Sequence, residues 1–362
     1  MPKQNYIVLL SSACGVAARA IARSLRASQE FRDATLIGMD TCKNLYGVAE
    51  GMFESLYCVP ACNEDGYEDA VTRICDEHRV DAAIINHDLE TMFWGEHEPP
   101  VPTLLPPHGF SMIAGSKGRL YEHLRKHDLV PEYFLVDRDA ILDGTYRANV
   151  DYPVWVRDIS IGSAGGKGAL LVRSQKEMNA WVLLNAESRI FMISEFLPGR
   201  NLACQLLFVN GRLVKHGSYE RLEYFLGRMI PSGISGNISR GRLLNDDRLL
   251  HNAVSAVLSI ASETGEIMNG FVAVDMREDR NGNPLITEIN LRHVACTSAF
   301  AQAGHNLAEA QLLATLGRAR EIGPVAMDYP EGNLILRDID GPPIWVRSVP
   351  TPRVGAAARA IK

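Results

Sequence analysis

The stretch FVAVDMREDRNGNPLITEIN, residues 271–290, decides how this chain is read. Its two ends, FVAVDM (271–276) and LITEIN (285–290), are rich in β-branched residues, and Asn281-Gly282 between them is the strongest short hairpin signal. With that pair as a two-residue turn, Asp275 lies directly opposite Glu288, and Asn290 shares their face. The other face carries Val272, Val274, Met276 and Ile289, a core surface. Two carboxylates and an amide oxygen therefore converge on one patch of sheet. Like charges facing each other across a hairpin repel. A divalent cation relieves the repulsion, and an all-oxygen set suits Mg²⁺ or Mn²⁺. A nearby Lys or Arg on a solvated face is the alternative.

Working outward, 362 residues allow two or three domains or one multi-lobed enzyme. The hydrophobic fraction of 46% and charged fraction of 22% are those of an ordinary globular protein. A net charge of −6 argues against nucleic-acid or membrane-surface partners. No apolar stretch reaches transmembrane length, and the opening MPKQNYIVLLSSACG reads as a first strand, not a signal peptide. Of the seven cysteines, Cys58 and Cys62 are the one close pair, and no further Cys or His completes a zinc pattern around them. All seven read as reduced thiols of a cytoplasmic protein.

Four regions follow from the pattern: 1–110, 111–196, 197–330 and 331–362. The first alternates strand and helix: YIVLL, a helix over 16–27, ATLIGMD (34–40), a helix over 67–79 and DAAIIN (81–86). This is a small doubly wound α/β unit. Its first turn, SSACG, lacks the glycine spacing of a dinucleotide fingerprint, which argues against an NAD-dependent dehydrogenase. The second region opens with a helix over 116–126. Strands at 134–136, 152–157 and 169–172, a helix at 175–185 and FMISEFL (191–197) follow. The third holds strands 202–209 and 212–219 around Asn210-Gly211, then a helix. Asn245 or Asp246 caps that helix, Leu250, Val254, Val257, Leu258 and Ala261 mark its apolar face, and Gly265 stops it. The hairpin at 271–290 and a helix over 308–316 complete it. The tail, NLILRDID (333–340) then GPPIWVRSV, reads as a terminal hairpin.

The loop SIGSAGGKG (160–168) is not a P-loop. It is one residue short of that spacing, Gly168 stands where Ser or Thr is required, and strands flank it on both sides. Such a loop can instead fold over phosphates, offering backbone N–H groups and Lys167.

The order of these parts, from about residue 116 to 317, resembles the ATP-grasp superfamily, close to its carbamoyl-phosphate-synthetase-like and carboxylate–amine ligase branches. The most specific segment is EINLRHVACTSAFAQAGHNLAEAQLLATLG (288–317), similar to the family's E-I-N-P-R run with Leu291 in place of Pro. The resemblance implies an N-terminal doubly wound domain followed by a two-lobed ATP-grasp domain, α+β in its catalytic part, with a glycine-rich lid. It implies Asp275, Glu288 and Asn290 as ligands of Mg²⁺ or Mn²⁺. Lys117 and Arg157 are implied as phosphate-binding cations, Arg157 standing where Lys is usual. Gly162, Ser163, Gly165, Gly166 and Lys167 are implied as the lid over ATP. Glu195, Phe196 and Leu197 match the hinge beside adenine, Asn201 the ribose position where Glu is frequent, and Arg292 the arginine near the acyl phosphate. Gln205 stands where Asp is frequent.

The activity implied is ADP-forming ligation of a small carboxylate to an amine through an acyl phosphate, with a homodimer through the N-terminal unit compatible with it. The alternatives are phosphoryl transfer to a non-amine acceptor, or ATP binding without turnover. His293 and His305, near the site, are expected to be structural. Arg221 and Arg228, in the irregular stretch 219–237, are expected either to bind a substrate carboxylate or to sit on a surface loop.

Overall fold

The structure, a computed structural model, describes residues 5–43, 51–146, 151–159 and 169–337. The first layer is a four-stranded parallel sheet: β1 (Ile7–Leu10), β2 (Thr35–Asp40), β3 (Ser55–Cys58) and β4 (Ala82–Ile84), in the order β3-β2-β1-β4. Helices α1 (Val16–Ala27) and α2 (Tyr67–His78) fall within a residue of the expected spans. Strand β3 escaped the sequence reading; SLYC is four residues long and shows no alternation. Both faces of the sheet are covered, by separate apolar clusters around Val8, Leu10 and Leu36 and around Leu9, Ile37 and Ile74. Parallel strands buried on both faces read as continuous apolar runs, which is why YIVLL and LIGM stand out. Helices α3 (Asp88–Glu96), α4 (His108–Ala114) and α5 (Lys117–Arg125) lead out of this unit.

A second, antiparallel sheet holds β5 (Tyr133–Asp137), β6 (Val154–Asp158), β7 (Ala169–Val172) and β8 (Ile190–Glu195) in the order β5-β8-β6-β7. Helix α6 (Arg138–Leu142) and helix α7 (Gln175–Leu184) accompany it, Asp137 and Ser174 capping their first turns. The glycine loop with Gly162, Ser163, Gly165, Gly166 and Lys167 joins β6 to β7 and lies outside the described residues.

The third sheet is antiparallel and six-stranded, β13-β12-β9-β10-β11-β14. Its members are β9 (Asn201–Val209), β10 (Arg212–Tyr224), β11 (Ile238–Leu244), β12 (Gly270–Glu278), β13 (Pro284–Asn290) and β14 (Ile335–Leu336). Asn210 and Gly211, at φ of 49° and 76°, form the expected two-residue turn, with Arg212 opposite Val209. The 271–290 hairpin is made differently. Glu278 pairs with Pro284 and the Asp279 N–H donates to Asn283 O (3.0 Å), so the loop holds one residue more than Asn281-Gly282 alone. The Asp279 carboxylate accepts the N–H groups of Asn281 and Asn283, each at 2.8 Å. A bulge at Thr287 then takes up the offset, and Asp275 still faces Glu288. Val272, Val274, Met276 and Ile289 are buried, as the alternation requires.

Between β11 and β12 runs α8 (Asp247–Thr264); α9 (Thr297–Gln302) and α10 (Leu307–Thr315) follow β13. Asp246 caps α8 by accepting the Leu249 N–H, and Gly265 ends it at φ 67°. The buried stripe of α8 is Leu249, Ala253, Ala256, Val257, Ile260 and Ala261; of the expected face Val257 and Ala261 are buried, Leu250 and Val254 pack on its margin, and Leu258 is exposed. Small alanines face the sheet here, and large side chains at the margin misled the periodicity. Of the expected terminal hairpin, β14 pairs with β11; the second arm lies outside the described residues.

Candidate active site

The polar face of the 271–290 hairpin opens into a cavity of about 400 Å³, walled by β6, β8, the β9–β12 strands and the start of α5. Asp275 comes from β12, Glu288 and Asn290 from β13, and all three line it. The sheet register sets their convergence: Asp275 pairs with Glu288, and Ala273 with Asn290. Among the described residues six cations and four carboxylates line the cavity, a net positive set suited to a polyanion.

Each of the three oxygen donors has a cation beside it. Lys117, the first residue of α5, reaches Glu288 Oε1 at 3.4 Å. The Arg221 Nη2 donates to Asp275 Oδ1 at 2.5 Å. The Arg292 Nη2 donates to Asn290 Oδ1 at 3.2 Å. Both ways of relieving the carboxylate pair are thus present in one place: protein cations stand beside the acids, and oxygens face the cavity. Burial raises the Glu288 carboxyl above its ordinary range; Lys117 opposes the rise, while Asp275 and Asp88 add to it. A bound divalent ion favours the ionised form of such a group. Arg157 Nε is buried and has no hydrogen-bond partner among the described residues, a donor turned to the cavity wall. Two opposed carboxylates, an amide oxygen and orphaned guanidinium hydrogens fit a metal-bound triphosphate.

Several expected residues are used otherwise. Each terminal nitrogen of Arg221 makes two hydrogen bonds: Nη1 to Asn201 Oδ1 and Leu202 O, Nη2 to the Tyr219 hydroxyl and Asp275. Burial opposes its charge most strongly, but Asp275, Tyr219 and Tyr224 together outweigh it, so Arg221 stays protonated. Arg221 therefore pins Asp275 and has no fork left for a substrate carboxylate. Arg228 is exposed and stands away from the cavity wall. Asn201 lines the cavity, accepts from Arg221 and donates to the Tyr224 hydroxyl at 2.9 Å. Glu195 and Leu197 line the cavity, whereas Phe196 lies off it with its ring 5.8 Å from the Arg277 guanidinium.

His293 and His305 are structural. His293 stacks on Phe271 at 3.5 Å and bonds Thr297 and Gln311. Burial pushes its pKa down to about 3. His305 bonds the His216 carbonyl, and burial brings it to about 4. Gln205 is buried and accepts from the Thr297 hydroxyl at 2.8 Å, continuing the same chain into β9.

Two contributors escaped the sequence reading. Asp88, at the start of α3, accepts the Leu291 N–H at 2.7 Å and the Arg292 Nε at 3.1 Å. It explains Leu291: a proline there has no N–H to give Asp88. Only the fold brings residues 88 and 292 together, so no local pattern reveals the pair. Arg277 is legible in hindsight, since it lies two residues past Asp275 on the same face. It lines the cavity, and its Nε is buried with no hydrogen-bond partner among the described residues.

A parallel sheet leading into two antiparallel sheets, with a cation-lined cavity over the β12–β13 face, is the ATP-grasp fold. No family model and no curated protein matches the sequence. Solved structures match its fold. The chain is similar to the L-amino acid ligase from Bacillus licheniformis, at TM-score 0.64 and 14% identity over 90% of this chain and 79% of that one. It is similar to N5-carboxyaminoimidazole synthetase from Staphylococcus aureus complexed with ADP, at TM-score 0.64 and 14% identity over 88% and 79%. It is also similar to D-alanine–D-alanine ligase from Bacillus anthracis complexed with ATP, at TM-score 0.54 and 12% identity over 88% and 99%.

Proposed function

We propose that this protein is an ADP-forming ligase that joins a small carboxylate to an amine, using ATP and Mg²⁺. The observation that carries the reading is the facing pair Asp275 and Glu288, with Asn290, under Lys117, Arg157 and Arg292. Fold neighbours that are an L-amino acid ligase and a D-alanine–D-alanine ligase support an amino acid as one substrate. In this reading residues 1–110 form the preceding α/β domain, 111–196 the lid lobe, 197–330 the metal-bearing lobe and 331–362 a tail.

A carboxylate does not acylate an amine at neutral pH, because its oxygen is a poor leaving group. Attack of a carboxylate oxygen on the γ-phosphorus of ATP breaks the bond to ADP and gives an acyl phosphate. Attack of the amine on its carbonyl carbon then expels phosphate, and the amine's proton passes to solvent. Asp275, Glu288 and Asn290 would hold Mg²⁺, which would supply charge neutralisation to the phosphate oxygens. Lys117 and Arg157 bind and align the triphosphate, Arg157 with its forked donors. Arg292, held by Asp88, stabilises the developing oxyanion. The glycine loop and Lys167 lie outside the described residues; the resemblance gives them the part of shielding the acyl phosphate from water. Glu195 and Leu197 flank the base.

The test is an ADP-release screen over pairs of acids and amines, with product masses read out. The reading predicts ADP formed only when both partners are present, and a product lighter than their sum by one water. ADP formed with the acid alone and no amide product would point to a non-amine acceptor; bound ATP with no ADP in any mixture would point to a protein without turnover. Glu288→Gln should abolish ADP release with the fold intact. Full activity in that variant would refute the metal assignment.

A further inference from the structure

The carboxyl ends of the parallel strands hold a second group of ligand atoms. The Cys14 thiol, in the turn after β1, meets the Asp40 carboxylate at the end of β2 and the Cys42 thiol just beyond it. Their ligand atoms all lie within 4.8 Å of one another. Cys14 is buried; Asp40 and Cys42 are half-buried. The carboxylate is fixed in place: Oδ2 accepts the Cys14 N–H at 2.9 Å, and Oδ1 accepts the Cys42 N–H at 2.7 Å. A carboxylate oxygen that accepts one such bond can accept a second partner. Cys58, on β3, stands opposite Asp40 in the sheet register. Burial pushes its thiol pKa up, and Asp40 and Cys42 add to the rise against Lys43. Thiols and a carboxylate thus crowd one end of the sheet, where open α/β folds place ligands.

We propose that Cys14, Asp40 and Cys42 bind a thiophilic divalent cation of the Zn²⁺ class. Two thiolates with one carboxylate are soft enough for zinc and poorly matched to Mg²⁺, which separates this site from the oxygen-only set at Asp275 and Glu288. Tetrahedral zinc, with bonds of about 2.3 Å to sulfur and about 2.0–2.2 Å to oxygen, sets its ligands roughly 3.5–3.8 Å apart. Side-chain shifts of about 1 Å close the present spacing to that value. Binding would release the two thiol protons to solvent and leave the fourth position to water or to Cys58. The backbone bonds to Asp40 hold it in ligating orientation. The ion would clamp the β1–α1 turn to β2, next to Val16 and Ala17, which line the main cavity.

The experiment is a Zn²⁺ titration of the full-length, reduced protein against a chromophoric chelator, with Co²⁺ spectra alongside. The expected result is one tight equivalent, with a thiolate-to-cobalt charge-transfer band. Both should be lost in C14S/C42S and retained in E288Q. Should the double variant fail to fold, C42S, at a half-buried loop position, is read by the same titration. Equal zinc binding by wild type and Cys variants would overturn the proposal. So would a Cys14–Cys42 disulfide, seen as loss of two hydrogens on air oxidation, in a protein whose reduced form binds no zinc.

Discussion

At the scale of single residues, the site is organised by groups that hold its other side chains in place. Arg221 holds Asp275 and is saturated by Asn201, Leu202, Tyr219 and Asp275. Removing one partner of a fully buried ion pair costs about 3–5 kcal/mol, and this half-buried pair at the cavity wall should cost less than that. Arg221→Met should therefore lower the thermal midpoint. Added Mg²⁺ should recover more stability in the variant than in wild type, because the ion replaces the missing cation; equal Mg²⁺ shifts would show that Asp275 does not face the ion. Asp88 acts through Arg292 and the Leu291 N–H. Misplacement of a reacting group by about 1 Å costs roughly 100-fold in rate. Asp88→Ala should lose that order of magnitude in kcat while ATP affinity stays within a few-fold. A loss confined to ATP binding would move Asp88 out of the role assigned to it.

At the scale of elements, the hairpin shows what sequence pattern carries and what it does not. Alternation placed Val272, Val274, Met276 and Ile289 in the core and Asp275 opposite Glu288. The turn was misread by one residue, and the bulge at Thr287 hid the error. A bulge depends on tertiary context, and no residue type announces it. Helix ends were legible where a cap fixes them, as at Asp246 and Gly265. The buried face of α8 was legible only in part, at Val257 and Ala261, because alanines share that face with Leu249 and Ile260 and weaken the pattern. Gly270 opens β12 at φ +79°, with the Leu105–Pro106 backbone against its Cα hydrogens. A side chain there meets both the strained conformation and that backbone, so Gly270→Ala should destabilise by at least about 1–3 kcal/mol. An unchanged melting temperature would contradict the close approach.

The buried histidines set a pH dependence for the same elements. The pKa of His293 is lowered from 6.5 to about 3, so the folded protein binds no proton there while the unfolded chain does. The stability this group contributes is full above about pH 6.5 and is lost as the pH falls towards 3. His293→Asn, which cannot take up a proton, should flatten part of the fall in melting temperature between those values. A parallel pair of curves would place the acid sensitivity elsewhere.

At the scale of the molecule, composition and charge gave only negative guidance, against nucleic acid and membrane surfaces, and no helix among the described residues is long and apolar enough to cross a membrane. The ATP-grasp resemblance came from the order of parts and the EINLR run. The structure adds the joining of distant segments: Asp88 to Arg292, Ser28 to Glu309, and the Ser24 carbonyl to Asn306. These tie the parallel unit to the segment after β13 and make the N-terminal residues part of the frame around the cavity. Such pairs are separated by 200 residues or more and leave no periodic trace in the sequence.

The central claim is that Asp275, Glu288 and Asn290 hold a divalent ion beneath ATP. A crystal soaked with Mn²⁺ and a non-hydrolysable ATP analogue tests it most directly. The account predicts an anomalous peak in contact with both carboxylates and with the analogue's phosphates, Lys117 having turned from Glu288 to the phosphates. Bound nucleotide with no peak at these oxygens, or with Arg221 and Lys117 still paired to both acids and the metal elsewhere, would contradict it.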